Sequence, residues 1–183
     1  IVIHYTAMQD AQAALDRLCS PEAEVSAHYL IASDGTVIQM VEEAQRAWHA
    51  GVGSWAGQDD INSRSIGIEL DNTGTHPFSE PLMRSLEGML RQIMPRWGID
   101  PAGVIGHSDM APGRKVDPGP HFDWTRLARQ GLAAPGGQDP GPRDPDAAAF
   151  RKLAQSTGYT ADVGDDALLA AERLRSRPYA TGP

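Results

Sequence analysis

The sequence predicts an α/β fold: a three-layer domain with a central mixed sheet flanked by helices, plus a short helical C-terminal extension. Three observations carry this expectation. Short β-rich runs alternate with helical patterns from Ile1 to about Leu132; such interleaving builds one sheet covered by helices. Three polar residues (His4, Glu69 and His107) each close a strand-like run. The stretch 134–145 breaks the pattern with Pro135, Pro140, Pro142, Pro145 and three glycines, after which only helical patterns follow. The expected organisation is a domain over 1–133, a Pro/Gly-rich linker over 134–145 and a helical extension over 146–183.

Ile1 to Tyr5 reads as a strand, with Ile1 and Ile3 on one face and Val2 and His4 on the other. Ala11 to Leu18 reads as a helix because Ala11, Ala14, Leu15 and Leu18 recur at helical spacing. Ser26 to Ala32 and Thr36 to Val41 flank Ser33-Asp34-Gly35, a turn sequence that tolerates positive φ, so they read as a hairpin. Ala44 to Asn62, rich in Gly and Trp, reads as irregular. Ser65 to Leu70 reads as a strand with Ile66, Ile68 and Leu70 on one face and Ser65, Gly67 and Glu69 on the other. Pro81 to Trp97 carries the strongest helical stripe, formed by Leu82, Leu86, Met89, Leu90, Ile93 and Trp97, and opens with a proline where helices accept one. Gly103 to Gly106 reads as a short strand, Met110 to Trp124 as a Pro/Gly loop and Thr125 to Gln130 as a short helix. Asp146 to Ser156 and Asp165 to Ser176 read as two helices too small to fold alone.

The chain has 183 residues, 40% of them apolar, enough for one full domain with a core. The net charge of −8, with no Lys/Arg-rich stretch, argues against a nucleic-acid partner or a polybasic membrane anchor. No apolar run reaches the ~20 residues of a membrane span. The single cysteine, Cys19, excludes an intrachain disulfide and reads as a small packed side chain. Ile1 lies inside a strand-like run and is not Met, so we expect further residues upstream. Oligomeric state is not legible.

The chemistry gathers at strand ends. If the strands ending in His4, Glu69 and His107 run parallel in the centre of the sheet, all three residues reach its carboxyl edge, where open α/β sheets place ligand sites. Asp117 follows His107 by ten residues across the Pro/Gly loop. Two imidazoles and a carboxylate are the usual three-ligand set of a catalytic zinc, with a fourth position left for water. By spacing alone this is a weak signal, since a lone strand-end His or a lone Asp before Pro is commonly structural. Glu69 reads either as a general base, with Gly67 leaving room beside it for substrate or metal, or as a solvent-facing carboxylate. Lys115 reads as an oxyanion partner or a solvated lysine. Arg114 reads as a surface ion-pairing group, with binding of a substrate carboxylate the competing reading. Trp48 and His49, in a Gly-flanked loop, read as substrate-binding, with core packing of Trp48 the competing reading. Asn62 is a further substrate-binding candidate. His28 reads as a satisfied core histidine, and His76, His121 and Asp109 as structural or surface residues.

Six blocks sharpen this. Ile3-His4-Tyr5-Thr6, Val25-Ser26-Ala27-His28-Tyr29-Leu30-Ile31, Ala47-Trp48-His49-Ala50-Gly51, Ser65-Ile66-Gly67-Ile68-Glu69-Leu70, Gly106-His107-Ser108-Asp109 and Ala111-Pro112-Gly113-Arg114-Lys115-Val116-Asp117-Pro118-Gly119-Pro120 occur in order. Together, over roughly residues 1–130, they resemble the type-2 N-acetylmuramoyl-L-alanine amidases, which share a fold with phage amidases and peptidoglycan-recognition proteins. The resemblance implies a zinc amidase domain with Zn²⁺ on His4, His107 and Asp117, Glu69 and Lys115 as catalytic residues, and peptidoglycan or muropeptide as substrate. The alternatives are a non-catalytic peptidoglycan-binding protein of the same fold and a zinc amidase acting on another small peptide. The segments Phe150-Arg151-Lys152-Leu153 and Leu174-Arg175-Ser176-Arg177-Pro178 look like part of a small helical peptidoglycan-binding module; a helical brace packed on the first domain is the competing reading. Relatives with such an extension act in the cell envelope, so the periplasm is expected over the cytoplasm.

Overall fold

The structure, a computed structural model, describes residues 1–136 and 146–180. Five strands form one sheet in the order β3-β2-β4-β1-β5, where β1 is Val2–Tyr5, β2 Tyr29–Ile31, β3 Val37–Gln39, β4 Gly67–Leu70 and β5 Ile105–Gly106. β1, β2, β4 and β5 run parallel and only the edge strand β3 is antiparallel. The sheet is therefore mixed, as expected, and its central strands all end at one edge.

Each strand face has its own cover. Helix α1 is Ala11–Leu18 and helix α2 is Glu80–Trp97. α2 starts where the sequence commits it: Ser79 Oγ caps the N–H of Leu82, Pro81 stands in the first turn, and Gly98 closes the helix at φ 61°. Its stripe of Leu82, Leu86, Leu90 and Ile93 packs on Ile1, Ile3, Tyr29, Ile31, Ile66, Ile68 and Leu70, together with Trp124 and Leu127 of helix α4 (Trp124–Arg129). Truncating one such buried Leu to Ala removes about 2–5 kcal/mol of stability. The opposite face buries Val2 and Ile105 against Ala50, Ile61, Met110 and Ala111, and carries the polar side chains His4 and Glu69. One face is thus the core and the other is the working face.

The structure redraws several boundaries. Of the hairpin, only Tyr29–Ile31 and Val37–Gln39 pair; Gly35 at φ 90° and the Asp34 carboxylate, which accepts from Thr36 N, make its turn. The run expected as a strand from Gly103 is a 3₁₀ turn over Pro101–Gly103, followed by a two-residue strand. His107 does not end that strand: it begins a single helical turn, α3 (His107–Met110). Helices α5 (Ala147–Thr157) and α6 (Asp165–Ser176) form as expected. The expected linker lies mostly outside the described residues. Within them, Ala134 N donates to Pro101 O at 3.0 Å.

Candidate metal centre

β1 and β4 pair in parallel with His4 opposite Glu69, so both side chains leave the same face at adjacent positions. β5 pairs with β1 on its other side, and the chain turns into α3 so that His107 arrives beside His4. Asp117 is delivered by the loop after α3, whose path is pinned by Ser108 N donating to Asp117 O at 2.9 Å and by Arg114 and Lys115 amides donating to Ala111 O. Gly106 makes this possible, because a Cβ there would stand 2.7 Å from Pro118 Cδ.

The three donors meet. His4 Nδ1 lies 2.9 Å from His107 Nδ1 and 2.9 Å from Asp117 Oδ2, and His107 Nδ1 lies 3.1 Å from that oxygen. Among the described residues these three side chains are buried and their donor atoms all lie within 4.8 Å of one another. No other residue joins the group.

The surrounding hydrogen bonds decide the tautomers. His107 Nε2 sits 2.7 Å from Ala50 O, a pure acceptor, so it carries the proton and Nδ1 offers a lone pair. The other side is a chain: His4 Nε2 is 3.0 Å from His49 Nδ1, His49 Nε2 is 3.3 Å from Ser65 Oγ, and Ser65 Oγ donates to Ile61 O at 2.6 Å. Because Ile61 O can only accept, the protons run outward from His4, leaving His4 Nδ1 unprotonated as well. Two lone pairs and a carboxylate then converge with no proton between them, an arrangement that a cation satisfies and no other group among the described residues does. The spacings are close to the ~3.3 Å edge of a tetrahedron with ~2.0–2.1 Å metal–donor bonds. The donor set fits a divalent metal.

Electrostatics agree. Burial and the neighbouring His107 push His4 down to about 4, so its neutral form is favoured. Burial alone would raise Asp117, but its close contacts with the His107 and His4 rings outweigh it and hold the carboxyl well below its usual range. Glu69 goes the other way: burial first, then the Asp117 charge, push it up to about 8, with Lys115 opposing. Its Oε2 is buried without any hydrogen-bond partner among the described residues.

A cleft of about 430 Å³ opens over this cluster, lined by His4, Trp48, His49, Glu69, Lys115 and Asp117 among others. Six of the sequence-derived site residues thus share one cavity, and His107 also reaches it. Trp48 is 57% exposed at the rim with the Arg46 guanidinium 4.4 Å from its ring centroid, so it is not a core residue. His49 lines the cleft, but both ring nitrogens are engaged by His4 and Ser65. Asn62 is not in the cleft. It is buried behind the loop, and its Oδ1 accepts from the N–H groups of His49 and Ala50 at 3.0 and 2.8 Å.

Two expectations change, and Asp109 takes the structural one of its two readings. The space beside Gly67 is filled by the His49 ring, which a Cβ at 67 would meet at 2.4 Å, so it is not room for substrate. Among the described residues Arg114 has no surface ion pair; it donates to Ala50 O and Val52 O and lies along Gly51, holding the loop that orients His107. Asp109 is wholly buried and takes part in a network described below. His28 is the satisfied core histidine expected, accepting from Gly67 N and paired with Gln45 O. The ligand-orienting role of Ala50 had no signal in sequence, because the acting group is a backbone carbonyl.

Fold and site together define an α/β protein with a two-histidine, one-aspartate metal site at the carboxyl edge of its sheet. The chain belongs to the Amidase_2 family, N-acetylmuramoyl-L-alanine amidase, whose match covers residues 1–120. It is 39% identical over 150 residues to N-acetylmuramoyl-L-alanine amidase AmiD of Escherichia coli, covering 73% of this chain and 53% of that protein. It is 44% identical over 103 residues to 1,6-anhydro-N-acetylmuramyl-L-alanine amidase AmpD of Enterobacter cloacae, covering 56% of this chain and 55% of that one. The chain therefore spans about half the length of the curated relatives it matches. Among solved structures, the complex of Escherichia coli AmiD with the substrate anhydro-N-acetylmuramic acid-L-Ala-D-gamma-Glu-L-Lys superposes at a TM-score of 0.88. The identity there is 34%, and the match covers 98% of this chain and 80% of that one. AmpDh3 of Pseudomonas aeruginosa, in complex with anhydromuramic pentapeptide, matches at 0.85 with 31% identity over 98% and 83% of the two chains. Among the described residues no helix is long and apolar enough to cross a membrane.

Proposed function

We propose that this chain hydrolyses the amide bond between N-acetylmuramic acid and the L-alanine of the stem peptide, in peptidoglycan or its muropeptide fragments, with zinc as its metal ion. The convergence of His4 Nδ1, His107 Nδ1 and Asp117 Oδ2 beneath a cleft that also holds Glu69 carries this reading. Nitrogen and oxygen donors without a thiolate suit zinc. A zinc ion held there supplies Lewis acidity, polarising the scissile carbonyl and bringing the pKa of a water to about 7.

The chain's own groups do the rest. Glu69, whose buried Oε2 is uncommitted, takes a proton from the attacking water and delivers it to the leaving amine nitrogen. Lys115 lines the same cleft and directs its ammonium at the oxyanion that develops on the scissile carbonyl oxygen. Trp48 presents its exposed ring at the rim to sugar or stem peptide. His49 and Ala50 O keep the two imidazoles in the ligating tautomer. Complete ligand and carboxylate sets argue against the non-catalytic binding reading. The cell envelope is proposed as compartment on the resemblance of the tail to extended relatives, and fractionation of a tagged full-length protein tests it.

Digestion of purified muropeptides followed by mass spectrometry tests the activity. The expected products are free stem peptides beginning at L-alanine plus the glycan; activity is lost with a strong chelator and restored by zinc. Intact muropeptides after incubation with the metal-loaded protein would refute the assignment.

A further inference from the structure

Asp109 stands two residues past His107, in a turn that cannot hold itself. α3 is a single turn of four residues after a two-residue strand, and an isolated turn is unstable without tertiary support. Its support comes from the C-terminal helices. Asp109 accepts from Gly106 N at 2.7 Å, from Tyr159 Oη at 2.7 Å and from Arg175 at 2.7 Å. Arg175 also donates to Val104 O, the residue before β5, and lies 4.1 Å over the Trp124 ring. The pair is enclosed, with the Arg175 side chain 10% and the Asp109 side chain 1% exposed.

The same helices reach the other support of His107. Tyr159 stacks edge-on against Trp55 with ring centroids 5.0 Å apart, Gly158 O accepts from Ala56 N at 2.8 Å, and Thr160 Oγ1 bonds Ser54 Oγ and Gly57 N, each at 2.9 Å. This 54–57 segment continues the loop whose Ala50 carbonyl fixes the His107 tautomer. Gly158 is required for the contact, since a Cβ there would stand 2.4 Å from the Trp55 ring. His107 is therefore gripped at both ends by elements that themselves rest on the extension.

We propose that Tyr159 and Arg175, acting through Asp109, are positioning residues for the metal ligand His107, so that the C-terminal helices form part of the metal centre's scaffold. The inference rests on the metal-site reading above. Without Arg175, Asp109 is a buried carboxylate lacking its cation, and the turn that must shift to reach water is the one carrying His107. A donor displaced by a fraction of an ångström binds metal less well, and losing such outer partners typically weakens metal affinity about 10–100-fold.

The test uses the full chain and zinc, with affinity read by competition against a chromogenic chelator and release followed in time, at a temperature where each variant is folded by circular dichroism. Tyr159→Phe removes one hydroxyl and no charge; we expect about 10-fold weaker zinc and faster release. Arg175→Met is expected to weaken zinc further, and Arg175→Lys to recover part of the loss. Wild-type affinity and release in folded Tyr159→Phe, with only a lowered melting temperature, would overturn the proposal and leave a purely structural brace. Asp117→Ala is the control for the underlying site: if it still binds zinc like the parent, the metal-site reading fails rather than this one.

Discussion

Asp109, wholly buried, and Glu69, half-buried with its Oε2 enclosed, are two carboxyl groups at the same edge of the sheet, and the chain treats them in opposite ways. Asp109 has three donors and an enclosed arginine. Glu69 has an oxygen with no hydrogen-bond partner among the described residues, beside Asp117 and with Lys115 opposing. A satisfied buried carboxyl group fixes a structure, while one with an unpartnered oxygen is tolerated where its chemistry is used. On the function proposed above, the difference separates the group that holds the site from the group that works in it.

The comparison breaks first at Glu69. Glu69→Gln keeps shape and removes the base, so muropeptide turnover should fall about 10²–10⁴-fold while zinc affinity stays within a few-fold. Retention of full rate would show that the orphaned oxygen is not the base. Stability should change little below pH 8, where the Glu69 carboxyl is protonated and Gln replaces one neutral group by another.

At Asp109 the opposite profile is expected. Arg175→Met strands the carboxylate and should lower the unfolding free energy by about 3–5 kcal/mol in chemical denaturation. Adding Asp109→Asn to that variant should restore a large part of the loss, because the stranded charge disappears. No recovery in the double variant would show that Arg175 acts through packing on Trp124 instead.

The two faces of the comparison also titrate in opposite directions in metal-free protein. His4 has a folded value of about 4, below its ordinary 6.5, so the unfolded chain takes up its proton first. Its neutral form stabilises the fold above pH 6.5, and that contribution is lost as pH falls from 6.5 towards 4, by roughly 3 kcal/mol at full swing. Glu69, at about 8 against 4.5, stabilises below pH 4.5 and loses its contribution as pH rises through 8. Metal-free protein should thus be most stable between these limbs, and Glu69→Gln should flatten only the alkaline one. Denaturant unfolding from pH 4 to 9 measures both; an unchanged alkaline limb in the variant would disprove the assignment.

A smaller effect tests the tautomer chain. His49→Ala takes away the acceptor for His4 Nε2–H and should weaken zinc about 10–100-fold. His49→Asn, which can place an oxygen near the lost Nδ1, should recover part of it. Equal affinities for both variants and the parent would remove His49 from the list of orienting groups.

How much of this was legible in sequence follows from which atoms act. His4, His107, Asp117, Glu69 and Lys115 act through side chains, and the blocks that carry them point to one site; the structure gathers all five round one cleft. The strand faces were equally legible, since Ile1 and Ile3 on one side and Val2 and His4 on the other follow from the pleat alone. Ala50 acts through its carbonyl, and its side chain gives no sign of that. His49 and Asn62 were recognisable as residues of interest, but whether a polar group faces substrate or a neighbouring ligand depends on loop path. The loop 44–62 has no period from which to read it. Asp109 paired with Arg175 across 66 residues, beyond any local pattern.

Trp48 gives the mildest contrast, between the enclosed centre and its open rim. Its ring is 57% exposed, stacked on one side by Arg46, and divides the main cleft from a second hollow of about 620 Å³ bounded by Leu18, Pro21, Glu24 and Val25. Because the ring covers no core and touches no ligand atom, Trp48→Ala should leave unfolding within about 0.5 kcal/mol and zinc affinity unchanged. If sugar or peptide stacks on it, KM for muropeptides should rise several-fold, in keeping with about 1 kcal/mol for an exposed aromatic contact, while kcat is held. An unchanged KM would confine substrate contacts to the enclosed side of the cleft, and a fallen kcat would mean that the rim helps to place the scissile bond over Glu69.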